Sequence, residues 1–221
     1  KENGGSAAVL SNDKGAPIQF TPGKTVLLEE WLEGPEGTLE CAILGDEVFP
    51  LIMHDKLLVE AQGNTVLERL LVTPPVRFST AEQEQIRRYA VECIHALGLS
   101  DCIVHFEFRM TQDGPRVIEI NPRLGGFYVD LSWQEIAQID PYSLNIQFHT
   151  GTLERAALVN AQDHVAQHHS SYTMFVLYPD TAGYVDSVIG VDDIANWPGV
   201  LRAEVNIPQH KIAPDIAEVC V

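Results

Sequence analysis

The sequence lacks the segments that carry a protein into or across a membrane. No apolar run approaches the roughly 18 residues that a membrane-spanning helix needs. The opening segment, KENGGSAAV, has neither the charged start nor the apolar centre of a signal peptide. We therefore expect no membrane partner, and we expect the protein to act in the cytoplasm.

Cysteines and basic side chains are both scarce. The four cysteines lie far apart and form no CxxC pair, which fits a reduced cytoplasmic setting. Only 14 lysines and arginines oppose 31 aspartates and glutamates, so the formal net charge is −17. Such a surface would repel a nucleic-acid backbone, and we expect no nucleic-acid partner. Any anion site needs local cations or backbone N–H groups to reverse this field.

Apolar residues are plentiful enough for a globular core. Of the 221 residues 45% are hydrophobic, and this length allows one large domain or two small ones. Both ends look cut, because Lys1 opens directly onto a Gly-rich loop and the final run, IAEVCV, is typical of a strand. We expect the chain to be part of a longer protein whose N-terminal part is missing here.

Apolar spacing and turn residues predict a mixture of helices and strands. Ser79 and Glu82 fit a capping box, and the pattern after them predicts a helix over Thr80–Leu97 that ends at Gly98. A hairpin is predicted from strands at 102–110 and 115–121. The other predicted elements are strands at 7–11, 25–31, 38–44 and 48–53, an irregular stretch at 54–78, and helices at 129–139 and 144–161.

The hairpin HFEFRMTQDGPRVIEINPR concentrates polar side chains on one face. A turn centred on residues 112–114 fixes which residues lie opposite one another. The predicted pairs are Glu107 with Glu119, His105 with Asn121, and Arg109 with Val117. Because side chains alternate between faces, the opposite face is apolar and consists of Val104, Phe106, Phe108, Ile118 and Ile120.

The two facing glutamates of this hairpin require a cation nearby. Opposed Cβ atoms lie about 5 Å apart, where two unit charges repel by roughly 3 kcal/mol at an effective dielectric near 20. Two carboxylates and the Asn121 amide oxygen are hard donors that Mg²⁺ accepts while it keeps positions for water and phosphate oxygens. On these residues alone, salt bridges to Arg109 and Arg123 explain the pair equally well.

The run EINPRLGG, which continues the hairpin, favours a ligand site. Pro122 ends the strand just after Asn121, and the guanidinium of Arg123 can then reach a phosphate. Gly125 and Gly126 allow the backbone to approach a ligand closely.

These residues closely resemble the ATP-grasp superfamily, in which an acidic residue on one strand and an E-x-N-x-R run on the next bind two magnesium ions on ATP. The resemblance implies an α+β ATP-grasp fold with two subdomains and ATP between them. It implies that Glu107 and Glu119 share the metal ions, for which Mn²⁺ could substitute. Asn121 would bind the second ion, and Arg123 would contact the transferred phosphate or the acyl phosphate.

The segment LLEEWLEGPEGTLE resembles the adenine hinge of the superfamily, written E-E-x-(L/I)-x-G-x-E. This resemblance implies that Glu29, Glu30 and the Leu32 backbone meet the adenine edge. It also implies that Glu36 accepts hydrogen bonds from the ribose hydroxyls. Without the downstream hairpin, an ordinary acidic hairpin would explain the segment better.

The opening KENGGSAAV resembles the Gly-rich lid over the phosphates, about 25 residues ahead of the hinge as in the superfamily. The resemblance implies that Lys1 holds the α- or β-phosphate. Backbone N–H groups would come from Gly4, Gly5 and Ser6.

Within the superfamily, H-x-E-x-R followed by DGPRVIEINPRLGG looks most like the carboxylate–amine ligases of the L-amino-acid ligase and carnosine synthase group. The stretch AGYVDSVIGVDDIANWPGV is similar to the small module that follows the catalytic domain there. The resemblance implies an ATP-grasp domain at residues 1–169 and a truncated C-terminal α/β module at 170–221. The missing N-terminal domain would complete the site, and the oligomeric state is left open, a homodimer included.

The resemblance implies an activity in which a carboxylate is phosphorylated by ATP and an amine then attacks the acyl phosphate to form an amide. Arg123 and the backbone of Gly125 and Gly126 would hold the acyl phosphate. Glu68 and His105 are weaker candidates for recognising the amino acid, and a hydrogen bond to Asn121 explains His105 equally well.

Two alternatives stay open. One is another ATP-grasp enzyme, of the biotin-carboxylase or purine-pathway kind, which the double glycine of EINPRLGG disfavours. The other is a subunit that binds ATP without turnover, which the intact hairpin residues argue against.

Overall fold

The structure of the chain, a computed structural model, describes residues 10–11, 17–18, 29–62, 65–178, 183–206 and 212–213. Contacts divide the chain into two compact units, Lys1–Leu32 and Glu33–Val221. The first unit contains two short antiparallel strands, β1 (Leu10–Ser11) and β2 (Pro17–Ile18).

The predicted lid falls outside the described residues. Lys1, Gly4, Gly5 and Ser6 all lie there, so their roles stay predictions. The strand predicted at 25–31 is wrong in its described part, since residues 29–31 do not form a strand.

A six-stranded antiparallel sheet forms the centre of the second unit. Its strands are β3 (Glu36–Leu44), β4 (Glu47–Gln62), β5 (Thr65–Thr73), β6 (Cys102–Thr111), β7 (Gly114–Asn121) and β8 (Tyr172–Phe175). Their spatial order is β7-β6-β3-β4-β5-β8. Strand β3 therefore lies between the predicted hairpin and β4, and side chains from distant parts of the sequence share one face.

Helices cover both faces of the sheet. The described helices are α1 (Thr80–Leu97), α2 (Val129–Glu135), α3 (Pro141–Thr150), α4 (Arg155–Gln167) and α5 (Val191–Ala195). On one face, Ile86 and Ile94 of α1 pack with Phe106 of β6. On the other face, Trp133 of α2 packs with Ile52 of β4 in a second apolar core. No helix in the described part of the chain is both long and apolar enough to cross a membrane.

Helix α1 has the bounds and both ends that the sequence predicts. The Ser79 side chain accepts a hydrogen bond from the Glu82 backbone N–H, and the Glu82 carboxylate accepts one from the Ser79 N–H. Gly98 ends the helix in the left-handed conformation at φ 65°. The capping-box prediction is confirmed.

The irregular stretch predicted over 54–78 is wrong, because β4 and β5 occupy most of it. The polar run His54–Lys56 hides the strand pattern, yet all three side chains are buried. Asp55, for example, accepts hydrogen bonds from the Arg77 guanidinium at 2.8 Å and from the Arg77 backbone N–H at 2.7 Å. Burial of polar groups is tolerated where their hydrogen bonds are satisfied in this way.

The helices predicted at 129–139 and 144–161 also differ from those observed. The first ends at Glu135, and the second is two helices, because Gly151 at φ 64° closes α3. The Asp140 side chain caps the start of α3 ahead of Pro141, at a position that the sequence pattern left between helices.

The C-terminal residues form parts of two sheets. Strand β8 pairs with β5 in the main sheet, whereas β9 (Gly183–Tyr184) pairs with β10 (Ile212–Ala213) in a separate two-stranded sheet. The expected domain boundary between residues 169 and 170 stays a prediction.

Candidate active site

The hairpin β6–β7 places its two glutamates opposite each other. Glu107 pairs with Glu119 and His105 pairs with Asn121, as the register predicts. A bulge between Glu107 and Phe108 then shifts the register.

The bulge changes the other predicted contacts of the hairpin. Arg109 lies opposite Arg116 instead of Val117, so that predicted pair is wrong. Val117 packs on the α1 core, while Ile118 is 42% exposed and does not belong to the apolar face. An extra residue in β7 accounts for both differences, because it reverses the alternation of side chains beyond that point.

Three carboxylates surround the ammonium group of Lys56. Its Nζ lies 2.8 Å from Glu36 Oε1, 2.5 Å from Glu68 Oε1 and 2.7 Å from Glu107 Oε2. The Lys56 side chain is 1% exposed. Burial lowers its pKa, but the charges of Glu68, Glu107 and Glu36 outweigh burial and raise the pKa of Lys56 above its ordinary value. Lys56 is therefore a permanent cation in the sheet.

His105 connects Glu107 to a second buried carboxylate, that of Glu40. The His105 Nδ1 atom contacts the Glu40 carboxylate, and its Nε2 atom lies 3.3 Å from Glu107 Oε1. Burial opposes the charged form of His105, but the negative charge of Glu40 and its bonds to both carboxylates raise its pKa to about 9. His105 thus carries a positive charge at neutral pH, and its predicted role towards an amino acid stays untested.

Glu107 is ionised over the whole physiological range. Burial would raise its pKa, but hydrogen bonds from His105 and Lys56 and the Lys56 charge lower the pKa to about 2. The cations that neutralise Glu107 are therefore Lys56 and His105.

The two arginines that could have neutralised the glutamate pair have other partners. The Arg109 guanidinium contacts Glu36, and Arg123 donates to the Leu124 carbonyl at 2.9 Å. In the described residues, Glu119 is exposed and forms no ion pair with another side chain. The salt-bridge explanation therefore does not account for Glu119.

The edge of the hairpin fits a magnesium ion by its donor chemistry. Glu119 opposes the ionised Glu107, and the Asn121 amide nitrogen is buried with no hydrogen-bond partner among the described residues. Carboxylate and amide oxygens are the ligands that Mg²⁺ accepts. A second group in the described residues, Glu36 with Glu68 and Glu107, has carboxylate oxygens within 4.8 Å of one another, and Lys56 lies among them. The predicted metal set of Glu107, Glu119 and Asn121 stays a prediction.

The glycines of RLGG differ in how closely they are packed. A Cβ atom on Gly125 would lie 2.5 Å from His105 Nδ1 and 3.1 Å from Glu40 Oε1, whereas one on Gly126 would meet no described residue within 4 Å. The loop that carries Arg123 thus passes directly over the Glu40–His105 pair, and only glycine fits at position 125.

The residues predicted to bind adenosine are divided between the two compact units. Glu29, Glu30 and Leu32 belong to the first unit, where both glutamates are exposed. Glu36 belongs to the second unit, and both of its carboxylate oxygens are engaged, one by Lys56 and one by Arg109. Their contacts to adenine and ribose stay predictions.

Sequence patterns missed Lys56, Glu40 and His54. His54 is 1% exposed, and its ring nitrogens lie 3.3 Å from Thr38 Oγ1 and 3.0 Å from Ser132 Oγ. The available signal was the presence of polar residues at alternate positions of β3 and β4. In β4 these residues were predicted to be irregular, because the side chains that they contact come from other strands, which the local pattern does not contain.

Comparison with known proteins identifies the domain. Residues 10–130 match the sequence model of the ATP-grasp domain. Carnosine synthase 1 from Mus musculus is 32% identical over 107 residues, which cover 48% of this chain and 13% of that protein. The uncharacterized protein y4rH from Sinorhizobium fredii is 31% identical over 182 residues, which cover 82% of this chain and 35% of that protein. The chain thus spans only part of these relatives.

Solved structures support the same fold. The L-amino acid ligase from Bacillus licheniformis has a TM-score of 0.72 at 20% identity, over 83% of this chain and 46% of that one. The phosphoribosylglycinamide synthetase from Anaerococcus prevotii has a TM-score of 0.55 at 16% identity, over 72% of this chain and 39% of that one. At such identities the similarity shows the fold alone. Since the matched ATP-grasp segment covers more than half of the chain, this chain belongs to the ATP-grasp domain family.

Proposed function

We propose that this chain is the ATP-binding part of an ADP-forming ligase that joins a carboxylate to an amine. The observation that carries the proposal is the register of the hairpin, which sets Glu107 opposite Glu119 with Asn121 two residues further along. The family match and the similarity to carnosine synthase 1 support a ligase that forms a carbon–nitrogen bond.

The metal ligands in this proposal are Glu107, Glu119 and Asn121. Bound magnesium supplies positive charge that neutralises the phosphates of ATP. Glu107 needs no proton removed before it binds a cation, because its pKa is about 2. The open position of Glu119 leaves its carboxylate accessible to ligands from solvent.

The reaction proceeds in two displacements. An oxygen of the substrate carboxylate attacks the γ-phosphorus of ATP, a phosphorus–oxygen bond forms, and ADP leaves. The amine then attacks the carbonyl carbon of the acyl phosphate, a carbon–nitrogen bond forms, and phosphate leaves with loss of an amine proton. Arg123 and the backbone N–H groups of Gly125 and Gly126 bind the phosphate oxygens during both steps. Positioning and charge neutralisation supply most of the rate in phosphoryl transfer.

The proposed substrates are amino acids or close analogues. The similarity to carnosine synthase 1 supports this class. Glu68 and His105 remain the candidates for contacts to the amino acid. The Glu68 side chain is 25% exposed, so a substrate could reach it beside Lys56.

Phosphate release by the full-length protein tests this function. The twenty amino acids are tried singly and in all pairs, with Mg²⁺ and ATP present. We expect the protein to release phosphate from ATP only with a suitable pair of amino acids. Reactions without ATP, and the variant Arg123→Ala, are the controls, and both should release no phosphate. ATP binding without phosphate release for any pair would contradict the ligase and favour a nucleotide-binding subunit. Release with bicarbonate alone would favour another branch of the family.

A further inference from the structure

Lys56 has an environment that ATP binding alone does not explain. The chain contains five lysines, and this one is buried in the central sheet. Its ammonium group is held by three carboxylates on three other strands: Glu36 on β3, Glu68 on β5 and Glu107 on β6. We call these three side chains the carboxylate trio.

The trio has the geometry of a cation site that is already filled. The carboxylate oxygens lie within 4.8 Å of one another, and the Lys56 Nζ atom is within 2.8 Å of each residue. An ammonium group has three protons and no acceptor, so three carboxylates satisfy it completely. The same oxygens are the hard donors that divalent cations prefer.

The charges of the cluster show what Lys56 prevents. The trio carries three negative charges, of which Lys56 and Arg109 neutralise two. His105 also contacts Glu107, but its single positive charge is balanced by the second carboxylate that it contacts, that of Glu40. Without Lys56, two negative charges would remain among oxygens close enough to share one ion. A divalent cation would balance them, and Glu107 would then be drawn towards the trio and away from Glu119.

We propose that Lys56 is a positioning residue whose ammonium group takes the place of a divalent cation within the carboxylate trio. By filling this space it keeps metal ions out of the trio and leaves them to the edge formed by Glu119 and Asn121. This last step rests on the proposed function of that edge. Glu107 belongs to both sites, and each of its oxygens keeps a second lone pair for a metal ion while Lys56 and His105 hold the first.

Titration of the full-length protein with Mn²⁺, without nucleotide, tests the proposal by electron paramagnetic resonance. We expect Lys56→Met to bind one Mn²⁺ at least about tenfold more tightly than wild type, since it gains a site with three carboxylates. Lys56→Arg keeps the charge and should not gain the site. The double variant Lys56→Met/Glu68→Gln should lose it again.

Arg77→Met is the matched control for loss of a buried ion pair. It removes the guanidinium from Asp55, a fully buried carboxylate on the same strand as Lys56, but leaves one carboxylate instead of three. We expect no gain of Mn²⁺ binding in this variant, even if its stability falls.

Two results would overturn the proposal. One is a folded Lys56→Met protein, as judged by circular dichroism, that binds Mn²⁺ no better than wild type. The other is an unfolded Lys56→Met protein that millimolar Mn²⁺ fails to refold, because an ion in the trio should restore the lost charge. The titration contains neither ATP nor amino acids, so its outcome does not depend on the ligase screen. Failure of this proposal and failure of the proposed function can therefore be told apart.

Discussion

In this sheet burial favours the neutral form of a basic side chain, whereas neighbouring carboxylates favour its charged form. Lys56 and His105 both lie beside carboxylates, which keep them protonated in spite of burial. His54 lies between two hydroxyl groups, and no carboxylate in the described part of the chain forms an ion pair with it. Burial and the charge of nearby His105 lower the pKa of His54 to about 3.

The low pKa of His54 predicts sensitivity to acid. In the unfolded chain the histidine binds a proton near pH 6.5, but in the folded chain only near pH 3, so stability falls as the pH drops through this window. Between pH 7 and pH 5, protonation of this histidine in the unfolded chain should lower the free energy of unfolding of the wild-type protein by roughly 2 kcal/mol. The variant His54→Gln should lack that part of the pH dependence in urea unfolding.

The control for this prediction is His149→Gln, at an exposed position near the end of α3. It should keep the wild-type pH dependence. Equal slopes for His54→Gln and wild type between pH 7 and pH 5 would show that His54 is not a buried neutral group.

Residues that act within one hairpin could be predicted from the sequence, and residues that meet across the sheet could not. Glu107, Glu119 and Asn121 are related by one turn, so counting register was enough. Lys56 is 51 residues from Glu107, and Glu40 is 65 residues from His105. Those contacts depend on the strand order, which local periodicity does not contain.

At the scale of elements, the loop after β7 is fixed by its packing on β3 and β6. Gly125 passes so close to His105 and Glu40 that a Cβ atom there would overlap the imidazole. We expect Gly125→Ala to lower the unfolding free energy by about 1–3 kcal/mol, as overpacking does. Urea unfolding at pH 7 measures this difference.

Gly126→Ala is the matched control, since a Cβ atom at this neighbouring glycine would meet nothing within 4 Å in the part of the chain that the structure describes. Its stability should stay within about 0.5 kcal/mol of wild type. Equal losses in both variants would mean that the loop does not pack over the Glu40–His105 pair.

The success of element prediction followed the clarity of local patterns. Helix α1 has regular apolar spacing and two capping residues, and its bounds were predicted from those features. The strand predicted at 48–53 is the first part of β4, but the rest of β4 was missed because it buries His54, Asp55 and Lys56 where a strand pattern requires apolar residues. Strand β5, which pairs with that part, was missed with it. The bulge in β7 was missed because no residue in VIEIN marks the position of an extra residue.

For the whole molecule, the sheet separates two apolar cores and leaves polar side chains at one end of one face. Strand β8 closes the edge beside β5, and Tyr178, just after it, packs on Leu67 with the Arg69 guanidinium 5.4 Å from its ring centre. The segment after residue 169 therefore contributes to the main sheet as well as to the small sheet of β9 and β10.

We expect Tyr178→Ala to destabilise the protein by about 3 kcal/mol, because it removes a large side chain that is 7% exposed. Tyr184→Ala, at a tyrosine that is 61% exposed, is the control and should cost less than about 1 kcal/mol. Denaturant unfolding measures both variants. Similar small losses would indicate that this segment is a module that contributes little to the stability of the sheet.

The central claim, that the β6–β7 hairpin binds ATP through magnesium, is tested most directly by isothermal titration calorimetry of ATP. We predict binding to the wild-type protein in the presence of Mg²⁺ and no measurable binding to Glu119→Ala. Glu92→Ala, at an exposed position on α1, should bind as wild type does. Unchanged ATP affinity in Glu119→Ala with Mg²⁺ present would contradict the assignment of the metal site.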